Sequence, residues 1–174
     1  MISPRNYVTE KFLSGKGEML SIAYLADYPQ YLPAVADWVY TEWGHHNPAL
    51  TVQDLEATFR RHLAREAIPL TVIALWDDLP AGTASIYVQD MSIHLELSPW
   101  LAAVYVPVDH REKGIGSKLV GAIEDISRSL QISRLYLWTP DKEHFYSQLN
   151  WSVVERLVHL HQKVALMTKA ILPG

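Results

Sequence analysis

The sequence predicts an α/β (α+β) fold, a mixed sheet carrying helices on its faces. Three observations point to it. Apolar runs of strand length recur at Met19–Leu25, Leu70–Trp76, Leu101–Val106 and Arg134–Trp138. Between them lie segments whose apolar residues repeat every three or four positions, as in helices with one buried face. No fixed-period repeat, low-complexity tract or Pro/Gly/Ser-rich linker divides the 174 residues, so one domain over 1–174 is expected, with 1–18 as a flexible N-terminal segment.

In chain order, Met19–Leu25 reads as a strand ended by Asp27 and Pro29. Tyr31, Val35, Trp38 and Val39 then share one face of a helix that Gly44 stops, and Gly44–Pro48 is a loop carrying His45 and His46. Thr51, with Asp54 three residues on, forms the capping signal of a second helix. Leu55, Phe59 and Leu63 make its apolar stripe, and Pro69 ends it. Leu70–Trp76 and Thr83–Gln89 are the arms of a hairpin whose turn spans Asp77–Gly82; Asp90–Pro99 is irregular. Leu101–Val106 is short, uninterrupted and apolar, a buried strand. After a loop with two glycines, Ile115, Leu119, Ala122, Ile123, Ile126 and Leu130 define the best helix, with Glu124 and Arg128 paired outside. Arg134–Trp138 is another buried strand, Thr139-Pro140-Asp141 opens a short helix, and Asn150 closes it in a left-handed conformation. Ser152–Thr168 holds two strands, giving the order βααββ–βαβα–ββ.

Composition narrows the chemistry. The chain has no cysteine, which excludes thiolate metal sites and any covalent acyl-cysteine intermediate. Its formal net charge is −4 and its 15 Lys and Arg are scattered, against a nucleic-acid partner. No apolar run reaches the ~18 residues of a membrane span, and the polar Met1–Gly17 stretch does not read as a secretory signal. A cytoplasmic protein is expected. His45-His46, and His159-x-His161 on one face of a late strand, invite a metal, but each pair lacks a third ligand. No metal is expected.

The informative segment runs from Leu101 to Leu119: a buried strand, the loop Val106-Pro107-Val108-Asp109-His110-Arg111-Glu112-Lys113-Gly114-Ile115-Gly116, then the helix. Glycines that let backbone approach a ligand, placed before a helix N-terminus, make an anion site suited to a pyrophosphate. Arg111 and Lys113 add positive charge. A Walker loop does not fit the spacing, and a dinucleotide fingerprint lacks its third small residue. Arg-x-x-Gly-x-Gly after a strand ending Val-x-Pro does fit, followed downstream by Leu135–Trp138, Thr139, Phe145-Tyr146 and Asn150-Trp151.

That combination, over about Leu101 to Trp151, resembles the GNAT N-acetyltransferase superfamily. The resemblance implies a mostly antiparallel central sheet whose two middle strands, Leu101–Val106 and Arg134–Trp138, are parallel and splayed. It also implies acetyl-CoA as co-substrate, its pantetheine arm bonded to the backbone of Val104, Tyr105 and Val106. The Val106 N–H would lie at the thioester oxygen, and the amides of Arg111, Glu112, Lys113, Gly114, Ile115, Gly116 and Ser117 would hold the pyrophosphate. Thr139 stands at the position of a side-chain contact to pantetheine. Two positions depart from the pattern: Asn150 replaces a glycine, and Thr139 replaces an asparagine.

By the same resemblance Tyr146 is the acid that protonates the departing thiolate, its ordinary pKa of ~10 lying near the thiol's ~8.5. With no cysteine, transfer is direct, in a ternary complex. The strand Leu101–Val106 bears no base; Asp90 is favoured, with Glu96, Glu42, His45 or a water chain as alternatives. Trp43 and Trp100 could line the acceptor pocket. Glu42, Asp54, Asp90 and Glu96 hint at a cationic amine, either a small molecule or the N-terminus of a peptide. A homodimer through an exposed late strand fits the pattern. A catalytically silent acyl-CoA-binding regulatory module is the alternative of another class, and an unrelated phosphate-binding α/β protein the third.

Overall fold

The computed structural model describes residues 9–13 and 17–173. Eight strands form one sheet: β1 Thr9–Leu13, β2 Met19–Tyr24, β3 Leu70–Trp76, β4 Leu79–Tyr87, β5 Trp100–Tyr105, β6 Arg134–Thr139, β7 Ser152–His159 and β8 Gln162–Ala170. Their spatial order is β1-β2-β3-β4-β5-β6-β8-β7, and every neighbouring pair is antiparallel except β5 and β6. β1 falls inside the stretch expected to be flexible; most of the remainder of that stretch lies outside the described residues. The helices are α1 Leu32–Trp43, α2 Val52–Arg61, α3 Ile115–Ser129 and α4 Glu143–Gln148.

Strand alternation sorts the core into two faces. On β3, Ile73 and Leu75 pack against Val35, Ala36 and Val39 of α1 and Phe59 of α2. Leu70, Val72 and Ala74 face the other way, onto a core built with Leu119, Ile123 and Ile126 of α3 and Tyr146 of α4. The first face continues across the sheet as Trp100, Val164, Leu166 and the buried Met91. Helices therefore cover both faces, as the sequence predicted.

Boundaries differ where turn chemistry decides. The β3–β4 hairpin turns on two residues, Asp77 and Asp78, with φ of +48° and +64°. That pair of left-handed residues matches the twist of the flanking strands, so the return arm starts at Leu79 rather than Thr83. α2 ends at Arg61, well before Pro69. His62 caps it, and the chain to Pro69 is irregular, although Leu63 still packs on the α1/α2 side. The capping box is present: Thr51 Oγ1 accepts from the Asp54 N–H at 3.1 Å, and the Thr51 N–H donates to Asp54 Oδ2 at 2.9 Å.

Glu124 does not pair with Arg128, whose guanidinium instead meets Asp125 and the Leu172 carbonyl. Glu124 turns inward to accept from Trp151 Nε1 at 3.0 Å and Lys169 Nζ at 2.7 Å, tying α3 to the C-terminal strands. Among the described residues no helix is long and apolar enough to cross a membrane.

Candidate functional site

β5 and β6 touch at one registered pair, Trp100 and Tyr136, where the Tyr136 N–H donates to the Pro99 carbonyl at 3.1 Å. Beyond that pair the two strands part. β5 carries the cause on its own edge. Between Thr83↔Tyr105 and Ser85↔Ala102 it holds one extra residue, and Ala103 sits there at φ +52°. A bulge with a left-handed residue bends a strand and frees backbone from the ladder. The opened gap thus runs along Ala103, Val104 and Tyr105, the last two being expected contacts of the donor. Val106 lies just past the strand, and its carbonyl accepts from Arg111 Nε at 2.9 Å.

The loop after β5 leads to α3 through Glu112 and Gly114, at φ +61° and +75°. Gly114 is the N-cap of α3 and no side chain caps this end. The first amides of a 15-residue helix, at Ile115, Gly116 and Ser117, accordingly point out of an uncapped positive end. Ile115 itself is a core residue, so only its backbone serves there. A Cβ on Gly116 would approach Phe145 Cζ to 3.4 Å, and one on Gly82 would come within 3.0 Å of the Tyr105 carbonyl. Gly82 thus lets β4 pack closely against β5 and α3, where Leu119 and Ile115 also approach. Arg111 stacks 5.9 Å from the Tyr105 ring centre and Lys113 lies 4.7 Å from that of Trp76. These residues fit a pyrophosphate, and the open gap fits an extended chain leading from it.

Tyr146 is buried on α4, edge-on to Phe145 and Trp151 with centroids 5.0 and 6.1 Å away. Burial, and then the charge of Asp141, push its hydroxyl well above the ordinary tyrosine pKa, so it stays protonated. α4 begins at Glu143, three residues past the expected start at Pro140. The Thr139 hydroxyl oxygen accepts the Lys142 N–H at 3.0 Å and closes the turn from β6. Asn150 ends α4 at φ +64°, with the Trp151 N–H donating back to the Tyr146 carbonyl at 3.1 Å, the left-handed closure that the sequence predicted.

Asp90 lies three residues beyond β4, across the sheet from α3. Burial pushes its carboxyl up to about 7, against the lowering effect of a hydrogen bond from Trp138. The Trp138 indole also donates to the Asp90 backbone carbonyl at 3.1 Å. Tyr87 is raised by burial and by Asp90 in turn. Beneath them His62 Nδ1 meets Thr71 Oγ1 at 3.3 Å, and Thr71 meets Ser85 Oγ at 2.7 Å. Burial lowers His62 to about 4.

The other expected candidates separate. Glu96 pairs with His94, which also reaches Glu155; Asp54 is held in the α2 cap; Glu42 is exposed on α1. Trp100 is fully buried with its indole donated to the Leu97 carbonyl, so it is a core residue and not a pocket wall. Trp43 stays half-exposed against Tyr105. His159 ends β7 and is buried against Trp138, whereas His161 sits in the following turn at φ +64°. They do not share a strand face. Burial lowers both His46 and His159, and each lies near enough another histidine to be lowered further. Among the described residues no three His, Asp or Glu gather as a metal site. Sequence reasoning missed Trp38 and Trp138, two aromatics on this side; a tryptophan's spacing reads the same whether it packs or lines a site.

The family model described as acetyltransferase (GNAT) family matches residues 32–151. Among curated proteins no sequence matches. Similar solved structures include a GNAT-family acetyltransferase from Streptococcus pneumoniae, 17% identical, with a TM-score of 0.66 over 87% of this chain and 99% of that one. The aminoglycoside 6'-N-acetyltransferase from Enterococcus faecium is 18% identical, with a TM-score of 0.65 over 88% and 98%. A protein from Salmonella typhimurium described as an acetyltransferase, determined with acetyl-CoA, is 14% identical with a TM-score of 0.68 over 89% and 95%. At these identities the likeness establishes a shared fold.

Proposed function

Since this chain belongs to the GNAT acetyltransferase family, we propose that it moves an acetyl group from acetyl-CoA to a primary amine by direct transfer. One observation carries the reading: the β5–β6 gap opens beside the uncapped, glycine-lined N-terminus of α3. An anion held by α3 would send its attached chain into the gap, toward the bulge in β5. Acetyl-CoA supplies the activated thioester; the protein positions it and handles protons. The amides around Gly114–Ser117 hold the pyrophosphate, with Arg111 and Lys113 beside them. The Val106 N–H donates to the thioester oxygen as negative charge develops there, a contact that strengthens in the transition state.

Asp90, poised at about 7, takes a proton from the incoming ammonium and later releases it to solvent. The neutral nitrogen then attacks the carbonyl carbon; a C–N bond forms and the C–S bond breaks. Tyr146 gives its hydroxyl proton to the leaving thiolate and regains one from the acetylated nitrogen.

Thermal unfolding with and without acetyl-CoA tests the donor. Ligand at ~100 times its Kd adds ~2.7 kcal/mol, which at roughly 2–4 °C per kcal/mol for this length raises Tm by about 5–10 °C. ATP or NAD should give no such shift. Thiol release in an amine screen then measures turnover without cysteine background, since the chain has none. Tyr146→Phe should lower kcat by roughly 10²–10⁴ while the acetyl-CoA shift persists. No shift at millimolar acetyl-CoA would overturn the proposal, and a shift with no turnover of any amine would leave a binding module.

A further inference from the structure

We propose that the acceptor is a monoamine bearing a flat apolar group, received on the rings of Trp38, Trp43 and Tyr105; this rests on the acetyl-transfer reading above. Tyr105 lies two residues past the bulge and packs its ring against two tryptophans of α1. The Trp38 centroid is 5.8 Å away with the planes 30° apart, and Trp43 is 6.3 Å away and edge-on. All three are only half-buried, so part of each ring surface remains open. Tyr105 pairs with Thr83, which shares the α1/α2 face with Ile73. The cluster therefore lies across the sheet from α3, on the side from which an amine would meet a thioester held in the gap.

Charge decides the class of amine. A polyamine or an aminoglycoside brings several cations and needs a carboxylate for each. Of the acidic groups on this side, Asp54 is bonded to Thr51, and Glu96 and Glu155 hold His94 between them. Glu42 stands exposed on α1. Asp37, like Glu42, stands exposed on α1 and Glu56 is half-exposed on α2; Asp90, half-buried, is the proton acceptor. His46 and His159 contribute no negative charge, and the Arg111 guanidinium 5.9 Å from the Tyr105 ring adds a fixed cation at the mouth. The three half-exposed rings suit one ammonium next to a flat apolar body, because ring faces attract both.

The test compares phenethylamine with spermidine at saturating acetyl-CoA, following thiol release. Phenethylamine should have the higher kcat/KM by about tenfold or more, the ratio that one good ring contact supplies. Trp43→Leu should raise its KM by a similar factor and Trp43→Phe by less, with the acetyl-CoA thermal shift intact in both variants as evidence of folding. Titrating phenethylamine into the acetyl-CoA-free protein should change tryptophan fluorescence, and less so in Trp43→Phe. A preference for spermidine, equal turnover, turnover of neither, or an unchanged KM in Trp43→Leu would overturn this inference while a retained acetyl-CoA shift left the acetyl-transfer reading standing. Loss of the shift in the unaltered protein would overturn both.

Discussion

Replacing Asp90 with asparagine is expected to stabilise the protein at alkaline pH, to change nothing near pH 4, and to slow acetyl transfer by roughly 10²–10⁴. In the unfolded chain this carboxyl ionises near 3.8, and in the folded protein at about 7. Below both values it is protonated in both states and contributes nothing. Between them the folded state binds the extra proton, so stability falls as pH rises, and above about 7 the whole penalty is present. Three pH units at about 1.4 kcal/mol each give on the order of 4 kcal/mol. Asparagine keeps the shape and never ionises, so the Tm difference between variant and parent should grow from nothing near pH 4 to roughly 10 °C at pH 8. His62 hides this slope in the parent: lowered to about 4, it loses stability as pH falls through the same window, and His46 and His159 act in the same sense. Asp90→Asn should therefore unmask an acid-side decline below about pH 6.5. Scanning calorimetry from pH 4 to 8 measures both curves, and a Tm difference that does not vary with pH would refute the enclosed carboxyl. In parallel, the parent's rate at saturating acetyl-CoA should rise through pH 7 with a limb that the variant lacks.

Three further outcomes follow from particular contacts. Thr51→Ala removes the side-chain half of the α2 cap, the oxygen that accepts the Asp54 N–H, and should cost about 1 kcal/mol, a Tm loss of a few degrees with kcat/KM unchanged. Lys169→Met leaves Glu124, only 14% exposed at its side chain, without its cation; urea unfolding should show a loss of roughly 3 kcal/mol that the double change Glu124→Gln, Lys169→Met largely restores. Leu160 and His161 form the β7–β8 turn at φ +48° and +64°, so Leu160→Asn with His161→Gly should raise Tm by a few degrees, about 1 kcal/mol; a lower Tm would count against this turn geometry.

The sequence made the segment from β5 to α4 legible because each part there has a local cause. Glycines before a helix, an asparagine after one and an apolar strand run act on their own neighbours. Where causes were distant, reading failed. Glu124 looked like half of an Arg128 pair, yet its partners are Trp151 and Lys169, 27 and 45 residues away. Two consecutive aspartates form the β3–β4 turn, a task that the eye assigns to glycine. Trp100 and Trp43 have the same composition signal, and only the sheet register sends one into the core and leaves the other at the surface. Asp90 stands out in the sequence only by its place after a strand; its contact with Trp138 joins residues 48 apart.

The single registered pair between β5 and β6 also divides the molecule mechanically. Strands β1–β5 form one continuously hydrogen-bonded ribbon and β6, β8 and β7 another, with α3 and the shared core between them. In such an arrangement the weakest seam lies inside the sheet rather than at its edges, and a ligand threaded through it acts as a missing strand. Amides of β5 and β6 that face the seam should exchange with solvent far faster than those on their outer sides, and should slow together when the seam is filled. Catalytic occupancy and cohesion of the two ribbons are then one equilibrium: each turnover closes and reopens a joint that the polypeptide alone leaves unstitched.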